Sequence, residues 1–346
     1  MDIFLTSAFG PAVAVAHARA AEQAGMRGVW LAEHHFVEYG QCPSATVLAG
    51  HLLAGTRRIT VGTAACVLGS RHPVALGEEA ALLHALAGDR FQLGVARGGP
   101  WQEIEILGRG LDHYRRGFAE SLDVLLRWLS GAPEAQARGE FHRFGPLTVV
   151  PRPATPVPVR VAVTSAETAD LAGRHGLPLL LGVHADDAEV TVLVDRWAQA
   201  ASAHGHDPAA ADHARVRLAY PCPTRADGER ELRANLPRWL AGIRAAVPVG
   251  GAPPARDLTA HVENLLRSQP VGPPGRSRLR WPTVPKPRGY AVSCAWSRRP
   301  ARPRRPRTSS RPWPPCRPRG GSNEHRWALP SPAPERTGPG RCAVTP

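Results

Sequence analysis

The chain has 346 residues, 43% of them hydrophobic, and carries a formal net charge of +14. This charge is unevenly distributed, since residues 271–346 carry +15 and residues 1–270 carry −1. The first 270 residues therefore have the composition of an ordinary globular protein, and their charge gives no indication of nucleic-acid binding. No run approaches the roughly 18 apolar residues that a membrane-spanning helix needs, so we expect no membrane partner.

The N-terminus and the cysteines indicate the compartment. The chain starts Met1-Asp2-Ile3, without the basic segment and apolar stretch of a secretory signal. Cys42, Cys66 and Cys222 are scattered through the first 270 residues without the CxxC spacing of a metal or redox site. We therefore expect reduced, buried thiols, no metal ion and a cytoplasmic location.

Strand-like and helical patterns alternate along most of the first 270 residues. Most of the predicted strands are continuous apolar runs, as expected of strands that are covered on both faces. The predicted strands are Asp2–Ser7, Gly28–Ala32, Thr60–Ala64, Arg90–Ala96, Pro158–Val163, Leu179–Gly182 and Val216–Tyr220. The predicted helices are Ala12–Ala24, Ser44–Ala54, Val74–Leu86, Gly117–Leu129, Ser165–His175, Asp187–His204 and Glu229–Ala246.

This alternation favours an α/β fold in which helices surround a parallel sheet. Seven βα units are one fewer than a closed (β/α)8 barrel contains. A doubly wound open sheet is the alternative, but the first strand is not followed by the GxGxxG phosphate loop of a Rossmann domain.

The alternating pattern ends after Pro270. Residues 271–346 contain 17 prolines and 17 basic residues, a density that opposes regular helix or sheet. We therefore predict two parts, a folded domain of residues 1–270 and a disordered tail of residues 271–346. A basic arm for nucleic acid or for an anionic membrane is the alternative interpretation of the tail.

The composition of the tail also indicates its origin. Lys286 is the only lysine of the chain, and this strong bias towards arginine is typical of a GC-rich gene. Reading such DNA out of frame readily yields Arg, Pro, Gly and Ala codons. We therefore predict a frameshift near Pro274–Arg276, no folded structure from Gly275 to Pro346, and a first and a seventh strand that each lack a neighbour.

Polar residues follow the second predicted strand directly, in the order Glu33-His34-His35-Phe36. In a parallel α/β protein, the carboxyl ends of the strands form the catalytic face. An acid and two imidazoles at this position indicate a site where protons are transferred. The alternative is a half-buried strand end whose histidines only satisfy hydrogen bonds. Zinc binding is disfavoured, because adjacent residues of a strand point to opposite faces.

Further short segments follow this one in a fixed order, and each of them is weakly informative alone. The set comprises Glu33–Gly40, Gly62–Leu68, His72–Val74, Gly88–Gly98, His175–Pro178, His204–Asp207 and Pro270–Pro274. Together they resemble the bacterial luciferase-like family of flavin-dependent monooxygenases, in particular its alkanal-oxidising type. The resemblance covers roughly residues 1–274 and implies a TIM (β/α)8-type barrel, here lacking its last βα unit.

The resemblance implies a reaction and its partners. Reduced FMN would react with O2 to form a C4a-hydroperoxide, which oxidises an aldehyde or a similar small organic substrate. A flavin reductase would supply the reduced flavin, and the protein would act as a homodimer. The first histidine of the family's Glu-His-His-Phe segment is catalytic, which assigns proton handling to His34. Glu33 and His35 would support it, either around His34 or at the edge of the flavin.

The resemblance also assigns the cofactor-binding residues. Arg97 would bind the flavin phosphate, because a guanidinium group matches the geometry of a phosphate. Ser165, Thr168 and the amide of Thr164 would complete that site at the start of a helix, although an ordinary helix N-cap explains the segment equally well. The family has a cis non-proline peptide bond beneath the flavin ring, and Ala64-Ala65 occupies the matching position.

Three other functions stay open at this stage. A relative of the same family would use a deazaflavin for hydride transfer, and the same phosphate site would serve it. A barrel without its eighth strand would be an inactive or merely flavin-binding protein. Finally, a chain that binds through its basic tail would be a nucleic-acid binder. We do not expect nucleic acid to be its partner.

Overall fold

The computed structural model describes residues 2–38, 40–99, 101–244, 257–273 and 292–295. Its contacts divide the chain into a unit that ends at Arg298 and a second unit from Arg299 onward, and all described residues belong to the first. Met1, Tyr39, Pro100, the segment 245–256 and the segments 274–291 and 296–346 of the predicted tail lie outside the described residues.

The described part of the chain is built from parallel strands and intervening helices. The strands are β1 (Asp2–Leu5), β2 (Gly28–Leu31), β3 (Thr60–Thr63), β4 (Cys66–Val67), β5 (Phe91–Ala96), β6 (Glu134–Arg138), β7 (Arg143–Thr148), β8 (Val159–Val163), β9 (Leu179–Leu181), β10 (Ala214–Pro221), β11 (Val271–Gly272) and β12 (Val292–Ala295). The helices are α1 (Pro11–Gln23), α2 (Ala45–Gly55), α3 (Pro73–Ala87), α4 (Trp101–Ile106), α5 (Gly110–Leu129), α6 (Ala166–Arg174), α7 (Asp187–Ala203), α8 (Arg225–Arg244) and α9 (Leu258–Ser268).

Eight of these strands form a closed parallel ring in the order β1, β2, β3, β5, β8, β9, β10 and β12, after which β12 pairs with β1. This is the arrangement of a TIM barrel, so the predicted fold class is confirmed. All seven predicted strands are present in the ring. β6 and β7 form a separate antiparallel hairpin, which the sequence analysis did not predict.

The eighth strand of the ring differs from the expectation. Val292–Ala295 pairs in parallel with both β10 and β1, as in the pair Leu218 with Cys294 and the pair Ile3 with Ser293. The prediction that β1 and β10 lack a neighbour is therefore wrong, as is the absence of structure for these four residues. The physical reason is that strand pairing needs only backbone amides, and residues 289–297 are the longest stretch after Gly275 without proline or a basic residue.

Local sequence signals explain where several helices begin. The side chain of Ser44 accepts a hydrogen bond from the amide of Val47 at the start of α2. The side chain of His72 accepts the amide of Val74 at the start of α3, and Pro73 occupies the first turn, where proline is well tolerated. Asp186 forms a reciprocal capping box with Glu189 at the start of α7.

The apolar core has two layers that position the site. The larger layer lies between the strands and the surrounding helices and contains Leu31, Phe91, Leu93 and Leu125, all fully buried. A smaller cluster combines Trp30 and Leu180 with the short side chains of Ala65 and Ala214. Burial of this size makes the strand ends a rigid platform for polar residues.

Candidate active site

Glu33 lies at the carboxyl end of β2 and is held by two backbone hydrogen bonds. Its Oε2 accepts the amide of Ala45 and its Oε1 accepts the amide of Val67, both at 2.9 Å. The side chain is fully buried. Burial raises the pKa of Glu33, but the nearby His35 ring, the hydrogen bonds from the two amides and the charge of Arg71 outweigh it, so the pKa lies below the usual value. Glu33 is therefore a buried carboxylate that ties β2 to the segments after β3 and before α2.

The carboxylate of Glu33 favours the protonated form of His35. Its Nε2 lies 3.9 Å from Oε1 of Glu33, an ion-pair distance for a protonated ring. The interaction with Glu33 raises the pKa of His35, while partial burial opposes the shift and the charge of Glu103 adds to it. A protonated imidazole at this position can donate a proton or a hydrogen bond.

His34, the preceding residue, has the opposite electrostatic environment. Burial lowers its pKa to about 4. The negative charge of Glu33 opposes this shift, whereas the positive charge of His35 adds to it. Its ring packs against Gly40, where a Cβ atom would come within 2.3 Å of Nδ1, so the chain needs glycine there. His34 is therefore a neutral imidazole near neutral pH and can accept a proton.

The structure adds two charged residues that the sequence analysis missed. Glu103 of α4 is buried, and its Oε1 accepts the amide of His35 at 3.4 Å. Burial raises the pKa of Glu103. Arg71 forms an ion pair with Glu79 and lies close enough to Glu33 to lower its pKa. In the sequence, Glu103 stands out only as an acidic residue soon after the fourth predicted strand, and this position alone does not predict a contact with His35.

The peptide bond between Ala64 and Ala65 is cis, as the resemblance implied. It follows β3, and the amide of Ala64 donates to the carbonyl of Leu31 at 2.6 Å. The inner cluster around it contains Ala96 and Ala162 together with the larger side chains of Phe4 and Trp30. The position beneath a flavin ring stays a prediction.

A basic cleft of about 370 Å³ lies where the resemblance places the cofactor phosphate. Arg97 and Thr168 both line it, and Arg115, Arg116 and Arg174 contribute three further cations. Glu167 is the acidic residue in the lining. The guanidinium of Arg97 lies over the ring of Tyr114, 4.9 Å from its centroid, which holds it in place.

The other two predicted phosphate ligands have different environments. Oγ of Ser165 accepts the amide of Thr168 at 3.3 Å and lies 3.0 Å from Oγ1 of Thr168, so Ser165 is the N-cap of α6. Thr164 is exposed immediately before it. The structure therefore brings Arg97 and Thr168 to one cleft, with Ser165 and Thr164 at the adjoining helix start.

These residues fit a phosphorylated flavin. The cleft offers cations and a helix N-terminus to an anion. Gly98 follows Arg97 with a φ of +93°, and a Cβ atom there would come within 2.7 Å of Val67, so this position needs glycine.

An apolar cleft of about 780 Å³ lies after β1. Its apolar lining includes Phe9, Val13, Leu218 and Trp239, with Ser7 among the few polar residues. Ser7 is buried, with a φ of +55° that brings its side chain to this cleft. The lining suits the hydrocarbon part of a small organic molecule.

Metal and thiol chemistry find little support in the described part of the chain. Cys42, Cys66 and Cys222 are free and buried, as predicted. Burial raises the pKa of Cys42 to about 11 and that of Cys66 as well, which makes both thiols unreactive. Among the described residues, no cluster of three metal-ligating side chains is found, and no helix is both long and apolar enough to cross a membrane.

With its parallel strands, an acid–imidazole pair and a basic cleft at the carboxyl ends of those strands, the protein is of the α/β-barrel class. The sequence profile of the family described as luciferase-like monooxygenase matches residues 4–269. The chain belongs to this family.

Individual relatives support the assignment. The chain is 33% identical over 199 residues to the alkanal monooxygenase alpha chain of Photorhabdus luminescens, covering 56% of this chain and 54% of that protein. It is 30% identical over 243 residues to the 4-hydroxyprotoasukamycin monooxygenase of Streptomyces nodosus subsp. asukaensis, covering 69% and 66%. The chain thus spans about half the length of the alkanal monooxygenases that it matches.

Solved structures show the same fold. The monooxygenase RslO1 from Streptomyces bottropensis is 26% identical, with a TM-score of 0.67 over 79% of this chain and 84% of that one. An F420-dependent secondary alcohol dehydrogenase in complex with an F420-acetone adduct has a TM-score of 0.69 at 17% identity, over 85% and 91%. The second similarity extends to the fold alone.

Proposed function

We propose that the chain is a flavin-dependent monooxygenase that uses reduced FMN and O2 to oxidise an aldehyde or a similar small organic substrate. The observation that carries the proposal is the pair of adjacent imidazoles, in which the pKa of His34 is lowered and that of His35 is raised, together with a basic cleft containing Arg97 on the same side of the barrel. Family membership and the monooxygenase relatives support it.

Each group has a distinct task in this proposal. When bound, reduced FMN would supply the electrons that activate O2. Arg97 and Thr168 would bind the phosphate, with Ser165 and the amide of Thr164 at its side. Ala64 and Ala65 would face the flavin ring.

The proton chemistry would belong to the pair of histidines. The neutral ring of His34 would accept a proton from the reacting substrate, and Glu33 would keep His35 charged beside it. The apolar cleft after β1 would hold the hydrocarbon part of the substrate and exclude water. A flavin reductase as the source of reduced FMN, a homodimer and a cytoplasmic location belong to the same proposal.

A deazaflavin-dependent oxidoreductase is the second candidate. The same cleft would also accept the phosphate of a deazaflavin, since three arginines besides Arg116, which is paired with Asp112 and Glu140, line it against one glutamate.

Binding and turnover separate the two candidates. The full chain would be titrated with FMN and with a deazaflavin, and turnover would be followed with O2 and an aliphatic aldehyde. Tighter FMN binding and aldehyde-dependent O2 consumption support the monooxygenase. Tighter deazaflavin binding with hydride transfer and no O2 consumption would overturn it.

A further inference from the structure

Glu103 is a buried acid that the proposed mechanism does not use. It lies in the short helix α4 and is 2% exposed. Its Oε1 accepts the amide of His35, whereas its Oε2 is buried without a hydrogen-bond partner among the described residues. A buried carboxyl oxygen without a partner is costly, so its presence needs a reason beyond packing.

The backbone contact of Glu103 secures a particular turn. The residue after His35 is Phe36, whose φ of +59° is in the left-handed region that non-glycine residues rarely adopt. The amide of His35 is anchored to Glu103, and the amide of His34 donates to the carbonyl of Cys42 at 3.0 Å. Glu103 therefore helps to hold the turn that presents both imidazoles.

The charges around His35 come from several elements. Oε1 of Glu33 lies 3.9 Å from the ring nitrogen Nε2, and Glu103 of α4 accepts the backbone amide of His35. The cations are Arg71, which precedes α3, and the neighbouring His34 when protonated. The charges of both acids favour the protonated ring of His35.

We propose that Glu103 is a positioning residue of this site, which holds the turn after β2 and, jointly with Glu33, keeps His35 protonated. Its two functions use different properties of the carboxyl group. The hydrogen bond to the turn needs an acceptor oxygen, whereas the effect on His35 needs negative charge. The catalytic meaning of this inference rests on the proposed function, but protonation of His35 is measurable without cofactor or turnover.

Substitution of the acid by its amide separates the two properties. Glu103→Gln retains an oxygen for the amide of His35 and removes the charge. Glu105→Gln is the matched control, since Glu105 lies in the same helix and is exposed. Imidazole ¹⁵N chemical shifts of the full chain would be followed against pH, with His35 assigned by its absence in His35→Asn. We expect the His35 titration midpoint to move to lower pH in Glu103→Gln and to stay at the wild-type value in Glu105→Gln.

An unchanged His35 midpoint in folded Glu103→Gln would overturn the proposal, whatever its effect on turnover. If Glu103→Gln does not fold, the wild-type protein decides the question. The side-chain carboxyl ¹³C signal of Glu103 should then change over the pH range in which His35 titrates, because the two charges interact. A Glu103 signal that is constant over this range would equally contradict the proposal. If the wild-type chain shows no monooxygenase activity while its His35 titration still depends on Glu103, the proposed function is contradicted and the role of Glu103 is not.

Discussion

Oε1 of Glu33 lies 3.9 Å from Nε2 of His35 and at the same time accepts the amide of Val67. One buried carboxylate therefore favours the protonated form of an imidazole and also anchors the chain after β3. This relationship makes the two adjacent histidines chemically different. His35 has a raised pKa and His34 a pKa lowered to about 4.

The first prediction concerns His34. His34→Ala should reduce monooxygenase turnover about 100-fold or more, because it removes the proposed proton acceptor. FMN affinity should change little, since His34 is not part of the basic cleft. Steady-state turnover with an aliphatic aldehyde and a fluorescence titration with FMN measure the two effects. Wild-type turnover in His34→Ala would contradict the assignment, and His51→Ala, at an exposed position of α2, is the control.

The pH dependence of turnover provides a second prediction. Burial lowers the pKa of His34 from 6.5 to about 4, so the ring stays neutral as the pH falls below 6.5. The base-dependent limb of the rate profile should therefore decline near pH 4 instead of near the ordinary histidine value. The measurement is kcat against pH under conditions where the protein stays folded. A limb centred near 6.5 would show that another group, or a solvated His34, acts as the base.

The third prediction concerns Arg97. Arg97→Ala should weaken FMN binding by about 1.5–3 kcal/mol, the range for a hydrogen bond to a charged group. Riboflavin lacks the phosphate, so its affinity should fall much less. Equilibrium titrations with both ligands provide the comparison, and Arg138→Ala, at an exposed position of β6, controls for loss of positive charge. Equal losses for FMN and riboflavin would exclude a phosphate contact.

The fourth prediction concerns acid stability. Burial, with the charge of Arg160 as a smaller cause, lowers the pKa of His213 from 6.5 to about 4. Between these values the unfolded chain binds the proton and the folded chain does not, so the free energy of unfolding falls as the pH falls. The contribution is complete above pH 6.5 and is lost towards about pH 4.

His213→Asn tests this contribution, because an amide oxygen can replace Nδ1 of His213 as the acceptor for the amide of Leu179. Urea unfolding at a series of pH values should show a weaker dependence of the unfolding free energy on pH in the variant. An identical dependence in both proteins would mean that His213 titrates normally in the folded state.

The fifth prediction concerns β12. A chain that ends at Arg298 retains Val292–Ala295, whereas a chain that ends at Pro274 lacks it. The longer chain should unfold at a higher urea concentration, because β1 and β10 keep their backbone partners. Equal midpoints would instead support the domain boundary at residue 270 that the sequence predicts. Limited proteolysis of the full chain gives an independent measure of where the protected part ends.

Much of the barrel was predictable from local patterns. The seven strands up to β10 are short apolar runs that alternate with amphipathic helices, and this periodicity is independent of distant residues. The hairpin of β6 and β7 was missed because its exposed strands carry little apolar signal. α9 was missed as well, although Asp257 caps it by accepting the amide of Ala260.

The sequence by itself determined the class of fold and the identity of His34, His35 and Arg97 as candidates, because strand ends and a family motif are properties of neighbouring residues. Only the tertiary structure decided that the pKa of His34 is lowered and that of His35 is raised. It also brought Glu103, 68 residues away along the chain, to the amide of His35. Burial and the nearest charges set a pKa, and both depend on residues that are close in space and distant in sequence.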